Sequence, residues 1–118
     1  MAIPTGSGSE VLKSADIAAL SNSVQTLITG EANHIYSVLS IIFCEQGDQS
    51  DERIQLYLTD TDGTSNPIYL LMDQAIGAQE TFVWNDRFSW QGTQKLRAIT
   101  LAAADIDVHV TWIEQDWG

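Results

Sequence analysis

From Val24 onward the apolar residues of this chain come in short runs, and none of the runs keeps the period of a helix. The last run shows the other period plainly. Ile106, Val108, Val110 and Trp112 fall on one side of an extended chain, and Asp107, His109 and Thr111 on the other, because successive side chains of a strand point to opposite faces. Ile54, Leu56 and Leu58 alternate in the same way with Gln55, Tyr57 and Thr59. His34–Glu45 differs: Ile35, Tyr36, Val38, Leu39, Ile41, Ile42 and Phe43 place apolar side chains on both faces, the pattern of a strand covered on both sides.

Further strand-like runs lie at Val24–Thr29, Ile68–Met72, Thr81–Trp84, Arg87–Trp90 and Leu96–Leu101. Between them stand Gly30, the polar stretch Gln46–Glu52, Asp62-Gly63, Gly77, Asn85-Asp86, Gly92 and the small residues Ala102–Asp105, all turn or loop signals. Many short strands with no helical crossover between them predict an all-β antiparallel β-sandwich, jelly-roll-like in its connections. At 118 residues there is room for one such domain, large enough to bury a core without staples. We place it over 14–118. Residues 1–13 read as an extended, flexible N-terminal arm: Met1–Ser9 holds Pro4, Gly6 and Gly8 among small polar residues, and Glu10–Lys13 suits a short strand. Ser14–Leu20 is ambiguous. Ser14 is placed to cap a short helix carrying Ile17 and Leu20 on one side, although the piece is too short to stand alone.

Sixteen acidic residues against five basic give a formal charge of −11. That field repels phosphate backbones and anionic headgroups, so neither nucleic acid nor membrane is an expected partner; a partner with basic patches is favoured, unless the acidity serves solubility alone. No stretch near the start has the basic and apolar parts of a signal peptide, and none is long enough for a transmembrane helix. The lone cysteine, Cys44, lies in an apolar run. It permits no intrachain disulfide and no cysteine metal site, and suits assembly in a reducing cytoplasm.

No catalytic constellation is visible and no cofactor is expected. His109 shares a strand face with Asp107, and Ser89 or Thr111 are the available nucleophiles for a triad, but no nucleophile elbow accompanies them. His34 stands at a strand start beside Asn33. Asp60, Asp62 and Asn66, around Gly63, are weak candidates for a calcium loop; they lack the distal glutamate and flanking helices of an EF-hand, and a plain hairpin turn has the same composition. Asp48, Asp51 and Glu52 form a second acidic loop open to the same plain reading. Of the four tryptophans, Trp84 and Trp112 read as core, Trp90 as core or partly exposed, and Trp117 as a tail residue that packs on its own fold or on a neighbour.

The stretches Gln25–Gly30, Ala32–Ile41, Arg53–Leu58, Leu71–Phe88 and Leu96–Trp117, with the Pro4–Lys13 arm and the Gln115-Asp116-Trp117 ending, resemble small β-sandwich structural proteins of tailed bacteriophages, of the head decoration or cement kind. The resemblance implies a non-enzymatic virion protein, assembled in the host bacterial cytoplasm. It would bind the major capsid protein or another virion protein, as a homotrimer on the head. A tail or fibre accessory module that binds host-surface carbohydrate is the alternative. The apolar residues of the arm and tail, Ile3, Pro4, Val11, Leu12 and Trp117, are the expected interface.

Overall fold

The computed structural model describes residues 9–20, 23–47, 52–101 and 105–116. Nine strands follow one another: β1 (Ser9–Leu20), β2 (Gln25–Thr29), β3 (His34–Glu45), β4 (Glu52–Thr59), β5 (Ile68–Ile76), β6 (Thr81–Trp84), β7 (Phe88–Gln91), β8 (Lys95–Thr100) and β9 (Ile106–Asp116). One sheet has the order β1-β9-β3-β6, with β7 continuing beside β3, and the other the order β2-β8-β4-β5. Every pairing is antiparallel. Counting β6 and β7 as one interrupted strand leaves four strands in each sheet, with the chain passing back and forth between them. This is the double-sheet jelly roll that the sequence predicts.

The core lies between the sheets. Tyr36, Val38, Ile41 and Phe43 of β3, with the inner row Ile106, Val108, Val110 and Trp112 of the neighbouring β9, face Ile54 and Leu56 of β4 and Leu96 and Ala98 of β8, all buried. Trp84 and Trp90 also turn inward, paired with Ile41 and Tyr36. In β3 the inward set changes parity, from 36 and 38 to 41 and 43. The register against β9 shifts between Val38 and Ser40, so a bulge at Leu39 moves the inward face by one residue.

One open reading is decided and one expectation is corrected. Ser14–Leu20 is not a helix but the continuation of β1, which runs unbroken from Ser9 across Lys13. Ala15 and Ile17 pack on the core while Ser14, Asp16 and Ala18 stay exposed. The three-residue spacing from Ile17 to Leu20, which suggested a helix turn, arises from a register shift at that point of the strand. The correction concerns β3. Its inner residues are covered, but Ile42, on its outer face, is exposed and Ile35 and Leu39 are only half-buried. No second layer of this chain covers that face among the described residues.

The β4–β5 connection is the turn expected at Asp62-Gly63. Gly63 takes a φ of 80°, its N–H donates to the Asp60 carbonyl at 2.9 Å, and the Asp60 N–H donates to the Ser65 carbonyl at 3.0 Å. Gly30, after β2, donates its N–H to the Gln94 carbonyl at 2.9 Å. A Cβ there would lie 2.2 Å from the Gly92 oxygen and 2.3 Å from the Gln94 oxygen, so only glycine lets the two connections touch.

Candidate functional site

Residues paired across a sheet share a face, so the register defines the outward side of the β1-β9-β3-β6/β7 sheet. One row is Leu12–Ile113–Ser37–Ser89 and another Asp16–His109–Ile42–Val83. Between them lie Ser14, Thr111 and Ser40. Leu12 is 67%, Val83 47% and Ile42 37% exposed. Short hydroxyl side chains surround these apolar residues, and the acids Glu10, Asp16 and Asp107 stand along the β1 and β9 margin. No lysine or arginine occurs among the described strand residues of this face. At that margin a shallow groove of about 290 Å³ is lined by Ile17, Ala18, Ile42, Cys44 and Val108, with Asp16, Asp107 and His109 at its rim. An apolar sheet face rimmed with one sign of charge has the make-up of a docking surface.

A second cluster closes one end of the sandwich. His34, the first residue of β3, pairs with Asp116, and Tyr36 with Glu114. The His34 Nδ1–H donates to Glu114 Oε2 at 2.6 Å. The other oxygen of Glu114 accepts from the Trp112 indole N–H at 3.3 Å and lies 3.2 Å from the Lys13 ammonium. Burial alone would push the Glu114 carboxyl up; the hydrogen bonds from His34, Trp112 and Lys13 outweigh it and hold the group below the ordinary glutamate range. On the far side of the imidazole, Nε2 lies 3.4 Å from Glu31 Oε2 and 3.6 Å from Asp116 Oδ1. The turn that carries Glu31 is pinned by its own N–H, which donates to the Tyr36 hydroxyl at 2.8 Å. That hydroxyl is pushed up to about 12, chiefly by burial.

The residues singled out from sequence are distributed as follows. Val11 and Leu12 are exposed on β1, on opposite faces: Val11 pairs with Glu114 on the inner side and Leu12 with Ile113 on the outer. Ile3, Pro4 and Trp117 lie outside the described residues, as do Asp48 and Asp51. Glu52 is buried at the start of β4. Asp60, Asp62 and Asn66 do come together, but their groups satisfy one another: Asp62 accepts from the Thr64 N–H at 2.9 Å and the Ser65 N–H at 2.8 Å, and the Asn66 amide donates to Asp60 at 2.7 Å. This is the plain turn. His109 pairs with Asp16 of β1, while Asp107 accepts from Gln46 at 2.8 Å. Ser89 belongs to β7, which pairs with β3, so β3 separates it from β9, and the acid bonded to His109 is Asp16, not Asp107. The cluster around His34 was missed because its members are scattered along the chain and only the β3–β9 register unites them.

Neither a protein-family model nor a curated protein matches the chain by sequence. Its fold does match solved structures. A subunit of Bacillus endospore appendages, which form a family of disulfide-linked pili, superposes with a TM-score of 0.59 at 10% identity, over 100% of this chain and 97% of that chain. A chain of the infectious bursal disease virus Gx strain gives 0.57 at 11% identity, over 94% of this chain but 33% of that chain. The acid-stable capsid of Helicobacter pylori bacteriophage KHP30 gives 0.52 at 10% identity, over 94% of both chains. What they share with this chain is the jelly roll. At such identities the likeness is one of fold.

Proposed function

We propose that the chain is a structural protein of a virion, a capsid decoration protein of a tailed phage that stabilises the shell by adhesion. The observation that carries this reading is the apolar outer face of the β1-β9-β3-β6/β7 sheet. β3 has the composition of a strand covered on both sides, yet the described residues of its own chain cover one. Ile42, Val83, Leu12 and Ile113 await a second layer from another molecule. The acids along the margin, with a net charge of −11, favour a surface with basic residues around an apolar centre over face-to-face pairing of two identical acidic copies. A shell protein fits that description. Repetition over a shell multiplies a modest contact into firm attachment. The jelly-roll fold shared with capsid components supports the reading. The carbohydrate alternative needs exposed tryptophans, and Trp84, Trp90 and Trp112 all turn to the core.

The test is co-sedimentation of the purified chain with capsids of its phage, for the wild type and for an Ile42→Glu/Val83→Glu variant. The wild type binds, with affinity falling as salt rises, and the variant keeps its strand circular dichroism but stays in the supernatant. Equal binding by both, or none by the wild type, overturns the proposal. Light scattering tests the trimer that the resemblance implies.

A further inference from the structure

We propose that β1 is an interface between two copies of this chain: the β1 strands of two molecules pair antiparallel about a twofold axis at Leu12 and join their sheets edge to edge. This contact is separate from the docking of the outer face on a shell and does not depend on it.

A strand with an unpaired side is a template for another chain, and native sheets blunt it with short strands, bulges or breaks. Among the described residues, three of the four sheet edges are blunted in this way. β2 has five residues and a register shift between Thr26 and Ile28. β5 shifts register twice against β4, with Asp73 at a φ of 56°. The edge opposite β1 is split into two four-residue pieces, β6 and β7. β1 differs. Among the described residues it pairs with β9 alone, and from Ser9 to Ile17 that pairing runs without a shift. It contains no proline. Its one lysine, Lys13, is drawn to Glu114 at 3.2 Å. Ser9 through Ser14 are exposed, and two of them are large and apolar, Val11 at 48% and Leu12 at 67%.

Charge picks the occupant. The chain carries −11, yet Ser9–Ala15 holds one acid and one base, Glu10 and Lys13, and is neutral. A basic partner gains nothing there, whereas a second copy meets no strand of like charge. Self-pairing also fixes the geometry. The twofold axis of an antiparallel pair stands perpendicular to the sheet, so opposed residues come from the same face of each copy. Centred on Leu12, the register sets Leu12 on Leu12 of the second copy, Val11 against the apolar stem of Lys13, and Glu10 against Ser14. No like charges stand opposite one another. Centred on Lys13, it would oppose two ammonium groups and set Glu10 against Asp16; centred on Ser14, it would set Leu12 against the Asp16 carboxylate. The joined sheet turns the outer faces of both copies to one side. The patches around Ile42 and Val83 then lie in one surface, and two linked patches hold a shell more firmly than one.

The experiment is light scattering of the purified whole chain across a concentration series, without capsids. The wild type should reach the mass of a dimer; an edge paired with itself closes at two copies, where the resemblance implies three. Both copies are acidic, so salt should tighten the dimer by screening their repulsion, the opposite of its effect on shell binding. Leu12→Lys changes an exposed side chain. It should keep its strand circular dichroism and stay monomeric, because it opposes two ammonium groups. Ile42→Glu/Val83→Glu, the variant that tests shell docking, should remain dimeric at raised salt, so either reading can fail without the other. In a Cys44→Ser background, Leu12→Cys should form an intermolecular disulfide under mild oxidation, since opposed Cα atoms of paired strands lie about 4.5–5.5 Å apart. Ser14→Cys, offset from its counterpart by four residues or about 13 Å, should not. The proposal is overturned by a wild type that is monomeric or trimeric, by dimers of Leu12→Lys, or by loss of the dimer in Ile42→Glu/Val83→Glu. A dimer that weakens as salt rises, or Ser14→Cys crosslinking as readily as Leu12→Cys, overturns it equally.

Discussion

Tyr36 of β3 lies against Trp90 of β7, ring centroids 5.0 Å apart and planes within 18°. The stack is the middle of a row along the inner face of the sheet, from His34 through Tyr36, Trp90 and Phe88 to Trp84, each ring within 6.2 Å of the next. Both members of the central pair are buried, and this row carries β7 on β3.

Trp90→Ala should therefore act on stability. Removing a buried indole costs about 3–5 kcal/mol, and the lost stack is part of that figure. A urea titration followed by strand circular dichroism should show the midpoint fall accordingly. A Trp90→Ala protein with unaltered stability would mean that the ring is not packed as described.

The bulge at Leu39 makes a contrast between neighbours. Ile41 is fully buried and Ile42 is 37% exposed. Ile41→Ala should cost about 2–5 kcal/mol, and Ile42→Ala of the isolated chain within about 0.5 kcal/mol of nothing. Without the bulge the alternation begun at Tyr36 and Val38 would carry Ile42 inward and Ile41 outward, and the two results would be exchanged. Denaturant midpoints for the two variants decide it.

How far the sequence alone could reach is clear from particular strands. The bounds of β3 and β6 and the inward row of β9 follow from the period of their apolar residues, which local chemistry sets. β1 was harder, because a register shift between Ile17 and Leu20 imitates helical spacing. The apolar outer side of β3 was legible as residues, but a pattern cannot say whether the covering layer belongs to the same chain. The His34 cluster was illegible for a different reason. Glu114 is 80 residues from His34, and only the pairing of β3 with β9 sets them on one face.

In the β4–β5 turn, hydrogen bonds from the Ser65 hydroxyl and N–H and from the Thr64 N–H hold the Asp62 carboxyl well below its ordinary value of 3.8. A carboxylate depressed in the folded state contributes stability that is fully present above its unfolded value and is lost as pH falls through the folded one. The wild type should then exceed Asp62→Asn in stability at pH 6, and the gap should narrow steadily below about pH 4. Paired urea titrations across that range check it; a gap independent of pH would show that the turn does not depend on the charge.

Two glycines that meet at one point should behave differently. At Gly92 the φ is 85° and an added Cβ would have open space around it, so Gly92→Ala should cost only the left-handed conformation, about 1–2 kcal/mol. At Gly30 the added Cβ would run into the Gly92 and Gln94 carbonyl oxygens, and no rotamer change relieves a clash with backbone. Gly30→Ala must force the β2–β3 turn from the β7–β8 connection and break its hydrogen bond to Gln94, for a loss above about 3 kcal/mol. Thermal melts of both variants separate the two costs: Tm falls further in Gly30→Ala than in Gly92→Ala, and equal falls would show that the two connections do not touch.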